Sequence, residues 1–187
     1  MPKPNHRENI VRAGLAVFHA QGFHGSGVQD VVNHAGVPKG SFYNHFESKN
    51  ALGLEILNYY WEQHAATRAI LAEQTIAPLV RIDRHLAALG YNECGCLVGN
   101  FSAELSGSDD FRLQLAELFR KWELDLAACI KDGQRAGSIR DDDSPKTLAE
   151  FVIVSLEGAI LKSKVDRDPA VLKRFRKSIQ KFLKHPS

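Results

Sequence analysis

Apolar residues recur three and four positions apart along nearly the whole chain, and strict alternation of apolar with polar residues is absent. This pattern predicts an all-α protein. A first helix is expected from about Arg7 to Gln21, with Ile10, Gly14, Val17 and Phe18 on one face and Gly22 as its stop. After the turn Gly25-Ser26-Gly27 comes a short helix, Val28 to Ala35, in which Val28, Val31, Val32 and Ala35 form the i, i+3, i+4, i+7 stripe; Gly36 ends it. Pro38 falls at or beside the first turn of another short helix running through Ser41, Phe42, Tyr43 and Asn44. Ser48 is placed to cap a long fourth helix from about Lys49 to beyond Ala66. Further helices are expected at roughly 77–90, 97–106, 109–137, 144–165 and 169–184. Their ends are marked by Asp109-Asp110, Gly137, Ser144-Pro145 and Asp168-Pro169.

The span Val28 to Phe46 has the spacing of a helix-turn-helix. Gly36 supplies a turn that a Cβ would oppose, and Val37 and Phe42 are expected to bury against the first helix. The outer face of the second helix is then left to enter a major groove. The pattern alone also occurs in helical proteins that bind no DNA.

The longer run from Ala35-Gly36-Val37-Pro38-Lys39-Gly40-Ser41-Phe42-Tyr43-Asn44 through His45-Phe46-Glu47-Ser48-Lys49, with Ala51-Leu52 after it, closely resembles the signature of TetR-family transcriptional regulators. The resemblance implies a three-helix DNA-binding domain over residues 5–50, with the helix-turn-helix at about 28–47. Residues 51–187 are then a helical domain that dimerises and senses a small effector of unknown identity. It further implies a homodimeric repressor on a palindromic operator in double-stranded DNA. By position in the motif, Lys39, Gly40, Ser41 and Asn44 face bases and nearby phosphates, and Tyr43 and His45 contact backbone phosphate. Lys49 opens the fourth helix beside a phosphate, and Ser26 and Gln29 make phosphate and groove-edge contacts. Gly27 departs from the family, where Ser or Thr is common, so a backbone N–H is expected to replace the missing hydroxyl. Val32 stands where a small alanine is usual.

Cys94-Gly95-Cys96-Leu97, followed by Phe101-Ser102-Ala103-Glu104-Leu105-Ser106, resembles a Gly-Cys-Leu then Ser-Ala-Glu segment of the family's electrophile- and oxidant-responsive members. The resemblance places Cys96 on a reactive cysteine. A thiol at a helix start is more acidic than a core thiol, and Cys94 is a candidate to resolve a sulfenic acid. A metal-responsive regulator using Cys94, Cys96 and a histidine is the alternative signal; two small helix-start residues without redox duty is the plain one. Tyr60, Trp61, Tyr91, Phe101, Phe119 and Trp122 are the aromatic candidates for an effector pocket, and each also suits an ordinary core. For dimerisation, Leu118 and Cys129 on one long helix, with Val152, Leu156, Ala159 and Ile160 on the next, are the candidates. Which of these face a partner and which face the chain's own core stays open.

Composition narrows the alternatives. With 187 residues, 44% of them hydrophobic, and a net charge of +2, the chain is neither disordered nor of low complexity. Three cysteines are too few for a secreted disulfide scaffold, and residues 1–24 lack a signal-peptide core, so a cytoplasmic protein with free thiols is expected. The longest apolar run, Phe151 to Leu161, is broken by Glu157 and is far shorter than the ~20 residues of a membrane span. Gly-x-Ser-x-Gly, Walker, His-Glu-x-x-His and paired Cys-x-x-Cys motifs are missing, the eight histidines are scattered, and no enzyme, cofactor or bound metal is expected. The charge is uneven: residues 1–61 carry +1, 62–161 carry −6 and 162–187 carry +7. Between Ser26 and Lys49 it is zero, so affinity for DNA is expected to come from doubled contacts with modest salt dependence. The basic end is expected to meet the acidic middle block.

Overall fold

A computed structural model describes residues 6–184; residue 5 and residues 185–187 of the expected domains lie outside it. Among the described residues every element is helical. The order is α1 (His6–Gln21), α2 (Val28–Ala35), α3 (Lys39–Tyr43), α4 (Lys49–Gln63), α5 (Ala65–Ala69), a 3-10 turn (Ile70–Ala72), α6 (Pro78–Leu89), α7 (Leu97–Leu105), α8 (Asp109–Arg135), α9 (Pro145–Asp166) and α10 (Ala170–Leu183). No helix among these residues is long and apolar enough to cross a membrane.

The described residues form two compact units: the stretch up to Gln63 with Leu97–Leu115, and His64–Cys96 with the stretch from Ala116 onward. In the first, α1 packs on α2 and α4. Gly14 permits the approach to α4, since a Cβ there would lie 2.6 Å from Ile56 Cδ1. Phe23 sits at the centre of an aromatic cluster, its ring 5.1 Å from Phe18, 5.7 Å from Phe101 and 5.4 Å from Phe111, each edge-on. Edge-to-face pairs of this kind add ~0.5–1.5 kcal/mol beyond the area they bury. Glu104 of α7 accepts from the His24 N–H at 2.9 Å and so ties the loop after α1 to the same cluster.

The fourth helix stops at Gln63, short of the expected continuation past Ala66. His64 takes φ −96°, ψ 10° before α5 begins, in the sparsely allowed region between helix and strand. Neither glycine nor proline marks this break, and so the periodicity of the sequence runs through it.

In the second unit α9 and α6 pack against α10. Ser144 caps α9 by accepting from the Thr147 N–H at 3.1 Å, and Pro145 follows at the first helical position. Arg167 ends that helix in the left-handed conformation, φ 53°. At the next helix the carboxylate of Asp168 accepts from Ala170 N at 2.8 Å, with Pro169 as the cap, one position later than expected. The basic end is anchored where the acidic block supplies a partner: Arg176 makes a two-pronged contact to Asp83, at 3.0 and 2.6 Å. Arg140 caps the last turn with a backbone bond to Leu183 O, 2.9 Å, and lays its guanidinium over Phe182.

Candidate nucleic-acid interface and sensor side chains

The helix-turn-helix lies wholly in the first unit and is held by backbone devices at both ends of α2. Gly27 is the N-cap, and its N–H donates to Asp30 Oδ2 at 2.7 Å while Asp30 N returns to Gly27 O. A backbone N–H is expected to replace the missing phosphate-binding hydroxyl, and the N–H of Gly27 itself is already taken by Asp30. At the other end Gly36 is left-handed, φ 65°, ψ 33°, and Val37 N donates to Val32 O at 3.1 Å. A Cβ at that conformation costs roughly 1 kcal/mol.

The turn delivers α3 with one side anchored. Phe42 is fully buried, Val31 and Val32 are buried beneath it, and Phe46 stacks 5.7 Å from Phe42. Arg7 covers Phe46 with its guanidinium and pairs with Glu55 at 2.6 Å. The other side of α3 and the residues after it stand in solvent: Lys39, Gly40, Asn44 and His45 are exposed, Tyr43 is 56% exposed, and Ser41 is half-buried. A Cβ added at Gly40 would meet nothing within 4 Å. Gln29 is exposed on α2 and donates to Asn33 at 2.8 Å along its helix.

Two further candidates are turned inward. Ser26 is only 5% exposed, and its hydroxyl donates to Gly22 O at 2.7 Å. Lys49 sends its ammonium to the carbonyls of Phe23 and Ser26, at 3.0 and 2.9 Å, with Nζ 4.4 Å above the Phe23 ring. Ser26 thus closes the 22–26 loop on itself, and Lys49 stitches that loop to the start of α4.

The sensor candidates fall in different units. Phe101 is fully buried in the Phe18–Phe23–Phe111 cluster, and Tyr60, half-buried, meets His19 edge-on at 5.9 Å; Trp61 is half-buried on the same helix. In the second unit Tyr91 and Phe119 are half-buried and Trp122 is 6% exposed. Trp122 Nε1 donates to His85 Nε2 at 2.9 Å, and His85 Nδ1 lies 2.9 Å from Thr67 O. The indole donor leaves Nε2 as acceptor, so the imidazole proton sits on Nδ1. Burial drives the His85 pKa below its ordinary value, against the Thr67 bond that favours the charged form.

Nearby a cleft of about 340 Å³ is lined by Ala65, Arg68, Ala72, Ala128, Cys129 and Asp132 among others. None of the aromatic candidates lines it. Two of its lining residues are held from behind by a buried charge: Arg81, 2% exposed, donates to Leu71 O at 2.9 Å and to Asp132 at 3.1 Å. Bonds from Gln74 and Arg81 hold the Asp132 carboxyl below its usual range, while burial raises that of Asp125. Cys129 is 1% exposed and burial pushes its thiol up to about 11. It is an inert core thiol.

Cys96 is 9% exposed, immediately before α7, and Cys94 is half-buried with its N–H on Asn92 Oδ1 at 2.7 Å. None of the three cysteines is in a disulfide, and no group of three or more His, Cys, Asp or Glu suited to a metal is found among the described residues. The Cys96 thiol hydrogen-bonds the carboxyl of Glu157 on α9, and burial raises the pKa of that carboxyl. The other face of Glu157 is bare: Oε1 is buried with no hydrogen-bond partner. Sequence reading treats Glu157 merely as a break in an apolar run; a lone carboxylate there is the signal that was available.

Of the dimerisation candidates, Leu118, Cys129, Val152 and Leu156 are 2% exposed or less and belong to the chain's own core. Ala159 and Ile160 are half-buried. On α9 the exposed apolar residues are instead Phe151, Val154, Leu161 and Val165, at 48, 67, 62 and 72%. They follow a helical stripe, and Gly158 within it has open space around it.

Residues 10–56 match the model of bacterial regulatory proteins of the tetR family, and residues 84–179 match the tetracyclin repressor-like C-terminal domain. The chain is 42% identical to the HTH-type transcriptional repressor DhaR of Mycobacterium sp. (strain GP1), over 90% of this chain and 87% of that protein. The structure superposes on the regulatory protein TetR from Rhodobacter sphaeroides with a TM-score of 0.86 at 31% identity, covering 94% of this chain and 97% of that one. It also superposes on the reduced form of E. coli NemR with a TM-score of 0.87 at 26% identity, covering 98% and 99%. With its capped helix-turn-helix and its all-helical remainder, the chain belongs to the TetR family of DNA-binding transcriptional regulators.

Proposed function

We propose that the chain is a homodimeric repressor that leaves a palindromic operator when a small effector binds or a thiol is modified. The relatives DhaR and NemR are named transcriptional repressors, which supports the direction of control. In this reading residues 5–50 read DNA and residues 51–187 sense and dimerise. The observation that carries it is the exposed row Lys39, Tyr43, Asn44 and His45 along and just after an α3 anchored by fully buried Phe42. Lys39 and Asn44 suit guanine and adenine edges, each good bidentate pair contributing ~1–3 kcal/mol of discrimination. Tyr43, His45, Ser41 and Gln29 donate to phosphate or to the groove edge, and the uncrowded Gly40 lets a phosphate backbone come close. Lys49 keeps a third N–H for phosphate after its two carbonyl bonds. Ser26 serves by shaping the loop from within.

The second copy docks on the α9 stripe of Phe151, Val154, Leu161 and Val165, with Ala159 and Ile160 at its margin. Tyr91, Phe119 and Trp122 with the neighbouring cleft are the effector-responsive part of the second unit, and Cys96 with Cys94 the thiol-responsive part. Gel-shift titration against the DNA flanking the chain's own gene tests this. A footprint with two-fold symmetry, lost in Lys39→Ala and Asn44→Ala, is expected; tight binding by an enforced monomer overturns the dimeric reading. Reaction of the thiols with an electrophile is expected to lower operator affinity.

A further inference from the structure

Half-buried Glu157, with one carboxyl oxygen fully buried, has no role in DNA reading or in the apolar stripe of α9, yet it ends on a cysteine. Its surroundings are those of a proton acceptor: the carboxyl takes a hydrogen bond from the Cys96 thiol, its Oε1 is buried with no partner, and the side chain projects from α9 in the same unit as Cys96. A buried carboxylate oxygen without a hydrogen-bond partner is costly to keep. Burial and the Cys96 thiol are what act on this carboxyl; no charged side chain enters.

We propose that Glu157 is the general base that activates Cys96 toward small α,β-unsaturated carbonyl compounds. The inference rests on the thiol arm of the proposed function. The thiol proton passes to the Glu157 carboxylate as the sulfur attacks the β-carbon. The S–C bond forms, the C=C π pair moves to the α-carbon as an enolate, and the proton on Glu157 returns to that carbon. Thiol and alkene add without oxidant or reductant, and the carboxylate is regenerated. A carboxyl whose affinity for protons is raised toward that of a thiol is a better acceptor than an ordinary exposed glutamate. With 9% of Cys96 open, small electrophiles are the matching class.

The test uses the full-length protein carrying Cys94→Ser, methyl vinyl ketone as the probe, and peptide mapping to follow Cys96 alkylation. Glu157→Gln is expected to slow Cys96 alkylation at least tenfold near pH 7, and Glu157→Asp to restore part of the rate. In the parent the rate is expected to rise with a carboxyl inflection below the thiol's own range, and Glu157→Gln to lack it. Cys96 reacting in Glu157→Gln within twofold of the parent overturns the inference while leaving thiol sensing intact. Should Glu157→Gln not fold, a parent profile without that inflection overturns it equally. Cys96 inert in the parent overturns both readings. A Glu157-dependent rate with operator affinity unchanged by alkylation upholds the base and overturns only the sensing.

Discussion

At Gly40 a methyl group would meet no atom of the chain within 4 Å, and the backbone is ordinary helix, so the fold has no need of glycine there. Gly40→Ala is therefore expected to leave the melting temperature level or raise it, by ~0.5–1 kcal/mol of stability, while operator affinity in a gel shift falls at least tenfold. Lys49 gives the opposite pattern. Its ammonium ties the carbonyls of Phe23 and Ser26 and covers the Phe23 ring, so Lys49→Met is expected to lose about 2 kcal/mol of stability in urea unfolding as well as DNA affinity. Unchanged stability would confine Lys49 to the phosphate. Residue types at these positions were legible from the motif, since Lys39, Tyr43 and Asn44 do lie exposed; the inward turn of Ser26 and Lys49 was not. A sequence states which donors are available, and only packing around the 23–26 loop decides which carbonyls claim them.

At the scale of elements, α1 to α3 and the ends of α6 to α9 follow their glycine, proline and serine punctuation closely. The break at His64 escaped because no punctuating residue marks it, and Glu157 escaped because its partner lies 61 positions away. The proposed dimer face was illegible for a different reason. From Phe151 to Leu161 the helix is apolar nearly all round, so periodicity cannot tell the side packed by Val152 and Leu156 from the side left open by Val154 and Leu161. Exposure separates them. Leu161→Glu, well away from the core, is expected to leave the helical circular dichroism intact, to shift the protein to monomer in analytical ultracentrifugation and to weaken operator binding. A variant that stays dimeric would move the interface elsewhere.

For the molecule as a whole, the net +2 is a sum over regions with different duties: the DNA-reading block is nearly neutral, and the basic end is partly spent within the chain through Arg176 and Asp83. Stability should follow pH through buried groups. The pKa of His85 lies below its ordinary 6.5 in the folded chain, so on acidification the unfolded chain takes up the proton first. Stability is then lost as pH falls from about 6.5 toward the lowered value. The melting temperature is expected to drop as pH falls below about 6.5, and His85→Gln to flatten that drop; an equal drop in both proteins would assign it to other groups. Glu157 works in the reverse sense, its raised pKa making the stability it confers greatest in acid and lost as pH climbs through that value.

The bond from the Trp122 indole to the neutral His85 imidazole also equips the chain with an optical gauge. There are two tryptophans, and Trp61→Phe would leave Trp122 as the sole long-wavelength emitter. An imidazolium cannot accept the indole N–H, so any event that charges or displaces His85 must change the surroundings of that fluorophore. The interior of the second unit thus announces its own rearrangement as a change in colour and intensity, readable without a label while the protein is bound to DNA.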